Sequence, residues 1–149
     1  MKLSKILIPT DFSDATAKAV EYAASFAQQH GAELLLCHVL EPSPYPMAPI
    51  AGSLDRAPAE AELHRAVEKE LQDCRERFVP SDVRCQTVML EGTPHVEIIS
   101  HAKAQGVDLI VMPTHGRSGL AHFLLGSVSE KVIRRAHCPV LVFRTDERG

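Results

Sequence analysis

A chain of 149 residues has room for one substantial apolar core and too little for two ordinary ones, so a single domain is expected. With 45% hydrophobic and 23% charged residues it lies far from the composition of disordered chains. A formal charge of -3 gives no general attraction to nucleic acid or to an anionic membrane; an anion bound here has to be held by local geometry.

The segment from Met1 to Pro9 carries two lysines and a short apolar run, too little for a signal h-region or a membrane span, and a cytoplasmic location is expected. Lys5-Ile6-Leu7-Ile8-Pro9 is continuously apolar after its lysine, as suits a strand covered on both faces. Ser13 is a candidate N-cap, and Val20, Ala23, Ala24 and Ala27 form the stripe of a helix from Asp14 to His30, stopped at Gly31. Leu34 to Leu40 is again apolar, which predicts a second strand reached through a helical crossover and therefore parallel to the first.

Five prolines between Glu41 and Pro58 forbid regular structure and mark an irregular excursion. From Ala59 to Phe78 the apolar positions Leu63, Val67, Leu71 and Cys74 recur at helical spacing. Val83 to Leu90 alternates more than the other strands, which predicts a place nearer an exposed edge. Thr93 followed by Pro94 starts a helix that runs to Gln105-Gly106, and Asp108 to Met112 reads as the fourth strand. Ser127 to Ala136 reads as the fourth helix and Pro139 to Phe143 as the fifth strand. Strands alternating with helices predict a doubly wound α/β parallel sheet with helices on both faces. Its ligands belong at the carboxyl ends of the strands, at Pro9-Thr10-Asp11, His38-Val39 and Met112 onward.

At those ends one motif carries chemistry. Pro113-Thr114-His115-Gly116-Arg117-Ser118-Gly119 follows strand four, and Gly126-Ser127 stands at the mouth of the next helix. Glycines let backbone N–H groups approach an anion, and a helix start adds unpaired donors and a positive dipole end, so together they can cradle phosphate. Ser127 and Ser129 could add hydroxyl donors. No Gly-Lys-Ser/Thr follows, and no G-x-G-x-x-G follows strand one, so this is neither a Walker A loop nor a dinucleotide fingerprint. The same glycines would equally serve a plain surface turn.

Lys5-Ile-Leu-Ile-Pro-Thr-Asp, Leu-Leu-Leu-Cys-His-Val-Leu and Gly-Ser-Val-Ser-Glu-Lys-Val-Ile-Arg-Arg-Ala-His-Cys-Pro-Val-Leu-Val, in this order and spacing, resemble the universal stress protein family. ATP-binding members carry G-x-x-G, nine residues, then Gly-Ser/Thr; here Pro113 replaces the first glycine, while Gly116, Gly126 and Ser127 match. The resemblance implies an adenine nucleotide alpha hydrolase-like sheet of order 3-2-1-4-5 and a homodimer through strand five. It implies adenosine contacts at Pro9, Thr10, Asp11 and Val39 and phosphate contacts at His115, Gly116, Gly126, Ser127, Val128 and Ser129. Met112 and Pro113 would line the floor, and a triphosphate could lean on Arg117. Proline has no N–H and a fixed φ, so a contact that needs the glycine amide must change at Pro113. The implied ligand is ATP, or ADP or AMP, with or without Mg²⁺.

Cys37, Cys74, Cys85 and Cys138 form no C-x-x-C pair and read as reduced structural thiols. His38 reads as a hydrogen-bonded core histidine, and His115, His122, His137 and Cys138 lack the spacing of a metal site. No nucleophile and base are paired by the sequence, so no enzyme is expected beyond slow ATP hydrolysis. The leading expectation is a dimeric, nucleotide-binding regulatory module; a nucleotide-independent interaction or chaperone-like protein and a weak ATP hydrolase are the alternatives.

Overall fold

The run Ile6-Leu7-Ile8 leaves no residue that can face water, and it is satisfied only by a strand with neighbours on both sides and helices on both faces. In the computed structural model, which describes residues 2–42, 57–114 and 125–144, all three side chains are fully buried. The elements are β1 (Lys5–Pro9), α1 (Asp14–His30), β2 (Glu33–Leu40), α2 (Ala57–Phe78), β3 (Cys85–Glu91), α3 (Pro94–Ala104), β4 (Leu109–Pro113), α4 (Ser127–Arg135) and β5 (Val140–Phe143). They form one five-stranded sheet of order β3-β2-β1-β4-β5, with every pair parallel.

Alternation along the strands divides the interior in two. Ile6, Ile8, Leu34 and Leu36 pack with Ala19, Val20, Ala23, Ala24 and Ala27 of α1 and with Val67 and Leu71 of α2. Leu7, Leu35, Cys37 and Ile110 face the other way, against Ile98 and Ala102 of α3 and Val132 of α4. Helix α1 starts where Ser13 accepts from the Thr16 amide and ends at Gly31, whose φ of 64° lies in the left-handed region that glycine adopts without cost.

The β1–β2 ladder runs from Lys5↔Glu33 to Pro9↔Cys37, whereas the β1–β4 ladder contains only Ile6↔Leu109 and Leu7↔Ile110. Strand order reverses at this same place, because the chain leaves β1 toward β2 on one side and later returns to β4 on the other. A crevice at the carboxyl ends follows from that topology.

Element boundaries differ from the sequence reading by one or two residues, and three of the differences are instructive. Strand β3 starts at Cys85 instead of Val83, because the Val83 amide donates to the Pro80 carbonyl at 3.0 Å and closes a turn. Val83 is nonetheless buried, which extends the apolar alternation beyond the strand itself. Helix α2 starts at Ala57, with Pro58 in its first turn, where a missing N–H breaks no intrahelical bond. Helix α3 ends at Ala104.

The four cysteines are free thiols. Burial pushes Cys37 up to about 12 and Cys85 up to about 11, and it raises Cys74 and Cys138 as well, so the protonated form prevails at neutral pH. At the opposite end of the sheet from the crevice, His101 Nε2 is the one buried side-chain polar atom without a hydrogen bond among the described residues. Burial, and then the Lys5 charge, hold this imidazole below its ordinary 6.5. The folded state therefore binds fewer protons there than the unfolded chain, and stability falls as pH drops below about 6.5. Urea midpoints between about pH 7.5 and pH 5 are expected to decline less in His101→Leu than in the parent; parallel declines would contradict this reading.

Candidate functional site

The crevice wall on the β1 side is built by a turn that uses its own short side chains. The Thr10 amide continues the ladder to the Cys37 carbonyl at 2.8 Å, and its hydroxyl lies 3.1 Å from that of Thr16. The Phe12 amide donates to Thr10 Oγ1 at 3.0 Å, and the Ser13 amide donates to Asp11 Oδ1 at 3.0 Å, an Asx-type turn. Thr16 Oγ1 also reaches Asp11 Oδ1, at 3.1 Å. Asp11 is thus oriented by the first turn of α1. Phe12 has a φ of 64°, the only left-handed non-glycine among the described residues. A bulky residue in that region stores of order 1–3 kcal/mol, and such strain concentrates at functional turns.

On the other side, β4 ends at Pro113 and α4 begins after Gly126. Pro113 stands beyond the last β1–β4 pair, so its missing N–H costs no bond to β1, while its carbonyl accepts from Ser129 Oγ at 3.0 Å. The Gly126 amide donates to the Thr114 carbonyl at 2.8 Å, and the first α4 bond runs from the Glu130 amide to the Gly126 carbonyl. By helix geometry the amides of Ser127, Val128 and Ser129 have no intrahelical acceptor, and Gly126 at the cap position has no side chain to offer one. They form the positive end of the helix dipole.

Both sides open into one cleft of about 460 Å³, within the range of small-molecule sites. Of the residues singled out in the sequence, Pro9, Thr10, Asp11, Val39, Met112, Pro113, Gly126, Ser127, Val128 and Ser129 all line it. His115, Gly116 and Arg117 lie outside the described residues, as do Ser118, Gly119, His122 and most of the proline-rich excursion. One expected role changes: the buried Ser129 hydroxyl donates to the Pro113 carbonyl and ties β4 to α4, so its hydrogen is not offered to an anion. Thr16, Glu41, Pro94 and Ile98 also line the cleft and were missed, and so does His38, which stood at a strand end where ligands were expected but was read as a core histidine. Thr16 could have been found from its place three residues after the Ser13 cap.

Chemically the cleft joins an apolar floor of Met112, Ile98 and Val39 to a carboxylate at one side and the first turn of α4 at the other. That combination suits a flat apolar group carrying hydroxyls and an anionic tail. Among the described residues no group of three or more His, Cys, Asp or Glu side chains could hold a metal, and no helix is long and apolar enough to cross a membrane.

Residues 2–144 match the model of the universal stress protein family. A universal stress protein of Methanocaldococcus jannaschii, MJ0531, is 39% identical over 145 residues, which cover 97% of this chain and 84% of that one. The solved structure of MJ0577, a protein of the same organism, superposes with a TM-score of 0.83 at 28% identity, covering 99% of both chains. A universal stress protein from Archaeoglobus fulgidus, solved in complex with dAMP, has a TM-score of 0.62 at 20% identity, covering 95% of this chain and 98% of that one, and shows a shared fold. With the matching family model, the close relative, the 3-2-1-4-5 sheet and the crevice between β1 and β4, this chain belongs to the universal stress protein family.

Proposed function

We propose that the protein is an adenine-nucleotide-binding regulatory module that acts as a homodimer in the cytoplasm. The observation that carries the reading is the opening of the α4 first-turn amides and the Thr10-Asp11 turn into the same cleft. The residues present suit the group. Amides at a helix start are donors for phosphate oxygens, the acceptor-only Asp11 carboxylate suits the hydroxyl and amine donors of a nucleoside, and Val39 with Met112 gives a base apolar cover. The same fold carries dAMP in the Archaeoglobus fulgidus protein. Gly116, His115 and Arg117 would complete the phosphate side, with Mg²⁺ accompanying a triphosphate.

Homodimerisation is supported by β5, an edge strand whose four residues are all only half-buried, since such an edge is ordinarily paired or covered. Nucleotide binding would then change a surface that a protein partner reads.

Thermal unfolding with AMP, ADP, ATP and GTP tests the ligand. At a concentration about 100 times Kd a single-site ligand stabilises by about 2.7 kcal/mol, so at least one adenine nucleotide is expected to raise Tm clearly, and GTP less. No shift with any of the three adenine nucleotides would overturn the reading in favour of a nucleotide-independent interaction protein.

A further inference from the structure

We propose that His38 is a specificity-determining residue of the cleft, presenting a neutral hydrogen-bond acceptor at Nε2 that selects ligands carrying a neutral N–H or O–H donor. The inference rests on the adenine-nucleotide reading and goes beyond it to a residue and a recognised group.

Its basis is the tautomer that the structure dictates. His38 Nδ1 lies 2.8 Å from the Thr10 carbonyl oxygen. A carbonyl oxygen only accepts, so Nδ1 carries the hydrogen. A neutral imidazole has a single N–H, and Nε2 is then left with its lone pair outward. The ring cannot rotate to exchange the roles without losing the Thr10 bond, and it is clamped from one face. The Phe12 ring stacks on it with centroids 4.6 Å apart at an interplanar angle of 29°. Phe12 itself sits in the left-handed backbone conformation, held by its amide bond to Thr10 Oγ1. The strained residue, the threonine and the histidine therefore make one rigid unit at the end of β1 and β2.

His38 lines the cleft together with Thr10 and Asp11. It is only half-buried, and among the described residues His101 Nε2, not His38 Nε2, is the side-chain polar atom both buried and without a hydrogen bond. An acceptor with fixed orientation on a cleft wall rewards a donor and penalises a second acceptor, because a lone pair facing a lone pair is both unbonded and repulsive. An adenine nucleotide brings neutral donors of two kinds, the 6-amino group and the ribose hydroxyls. A purine with oxygen at C6 replaces the first by an acceptor, and a deoxyribose removes one of the second.

Two measurements test this. The first needs no ligand and no variant: ¹⁵N NMR of the parent protein at mildly alkaline pH is expected to show the His38 ring protonated at Nδ1 and bare at Nε2. A ring protonated at Nε2 overturns the proposal. The second is titration calorimetry of the parent and of His38→Asn with AMP, IMP and 2′- and 3′-deoxy-AMP. Asparagine keeps an amide donor near the Nδ1 position for Thr10 and has nothing at Nε2.

The parent is expected to lose about three- to tenfold in affinity for whichever analogue lacks the recognised donor. IMP failing assigns the 6-amino group, and a deoxy analogue failing assigns a hydroxyl. His38→Asn is expected to bind AMP about three- to tenfold more weakly and to lose that discrimination. A parent that binds AMP while His38→Asn binds it equally well and discriminates equally overturns the role of His38 alone. A parent that binds no adenine nucleotide overturns the proposed function together with this inference.

Discussion

Leu36→Ala is expected to destabilise the protein by about 2–5 kcal/mol. Leu36 is fully buried at the middle of β2, paired with Ile8 on one side and Thr87 on the other, and packed in the core beneath α1 and α2. The helix above it contacts the sheet through Ala19, Ala23, Ala24 and Ala27, side chains too short to collapse into a vacated space. The deleted atoms therefore lose their transfer free energy and leave a cavity that costs more. Against a total of about 5–15 kcal/mol for an ordinary domain this is a large fraction. Urea unfolding should show a lower midpoint with an unchanged slope. A loss below about 1 kcal/mol would mean that the two faces of the sheet can repack, contrary to the division drawn between them.

Gly126→Val is expected to act on the ligand and hardly on the fold. Gly126 sits at φ -59°, ψ 148°, extended backbone that any residue adopts, so its glycine is not required by conformation. Its carbonyl starts the α4 ladder and its amide donates to Thr114, neither of which a side chain removes. Gly126 lines the cleft beside Ser127 and Val128, so a branched side chain added there is expected to crowd the site. The expected outcome is a loss of adenine-nucleotide affinity of tenfold or more, about 1.4 kcal/mol, with a change in unfolding free energy no greater than about 1 kcal/mol. Calorimetric titration beside urea unfolding separates the two. Unchanged affinity would remove the α4 start from the binding surface.

Most of the fold was legible because burial and period agree along this chain. The unbroken apolar runs of β1 and β4 could only be interior strands of a parallel sheet, and the more alternating β3 could be placed at an edge. Val83 shows where such reading stops. It is buried by a turn that the Pro80 carbonyl closes, and burial outside a strand gives the same pattern as burial inside one. In the cleft, the strand ends at Asp11 and Val39 followed from topology, and Gly126 from the glycine-serine motif at the mouth of the next helix. The Ser129 role did not, because whether a hydroxyl points at a ligand or at the Pro113 carbonyl depends on the register of α4 against β4, which no local motif encodes. His38, read as a hydrogen-bonded core histidine, is hydrogen-bonded to the Thr10 carbonyl but only half-buried, and its stacking on Phe12 depends on a left-handed turn that phenylalanine itself does not signal.

We infer that the crevice between β1 and β4 holds an adenine nucleotide, and amide NMR spectra recorded while AMP, ADP or ATP is added test this. The predicted result is saturable shifts concentrated at Thr10, Asp11, Val39 and Gly126 to Ser129, with the α2 and α3 carboxyl-terminal turns unmoved. Saturable shifts centred elsewhere, or none with any of the three nucleotides, would contradict it.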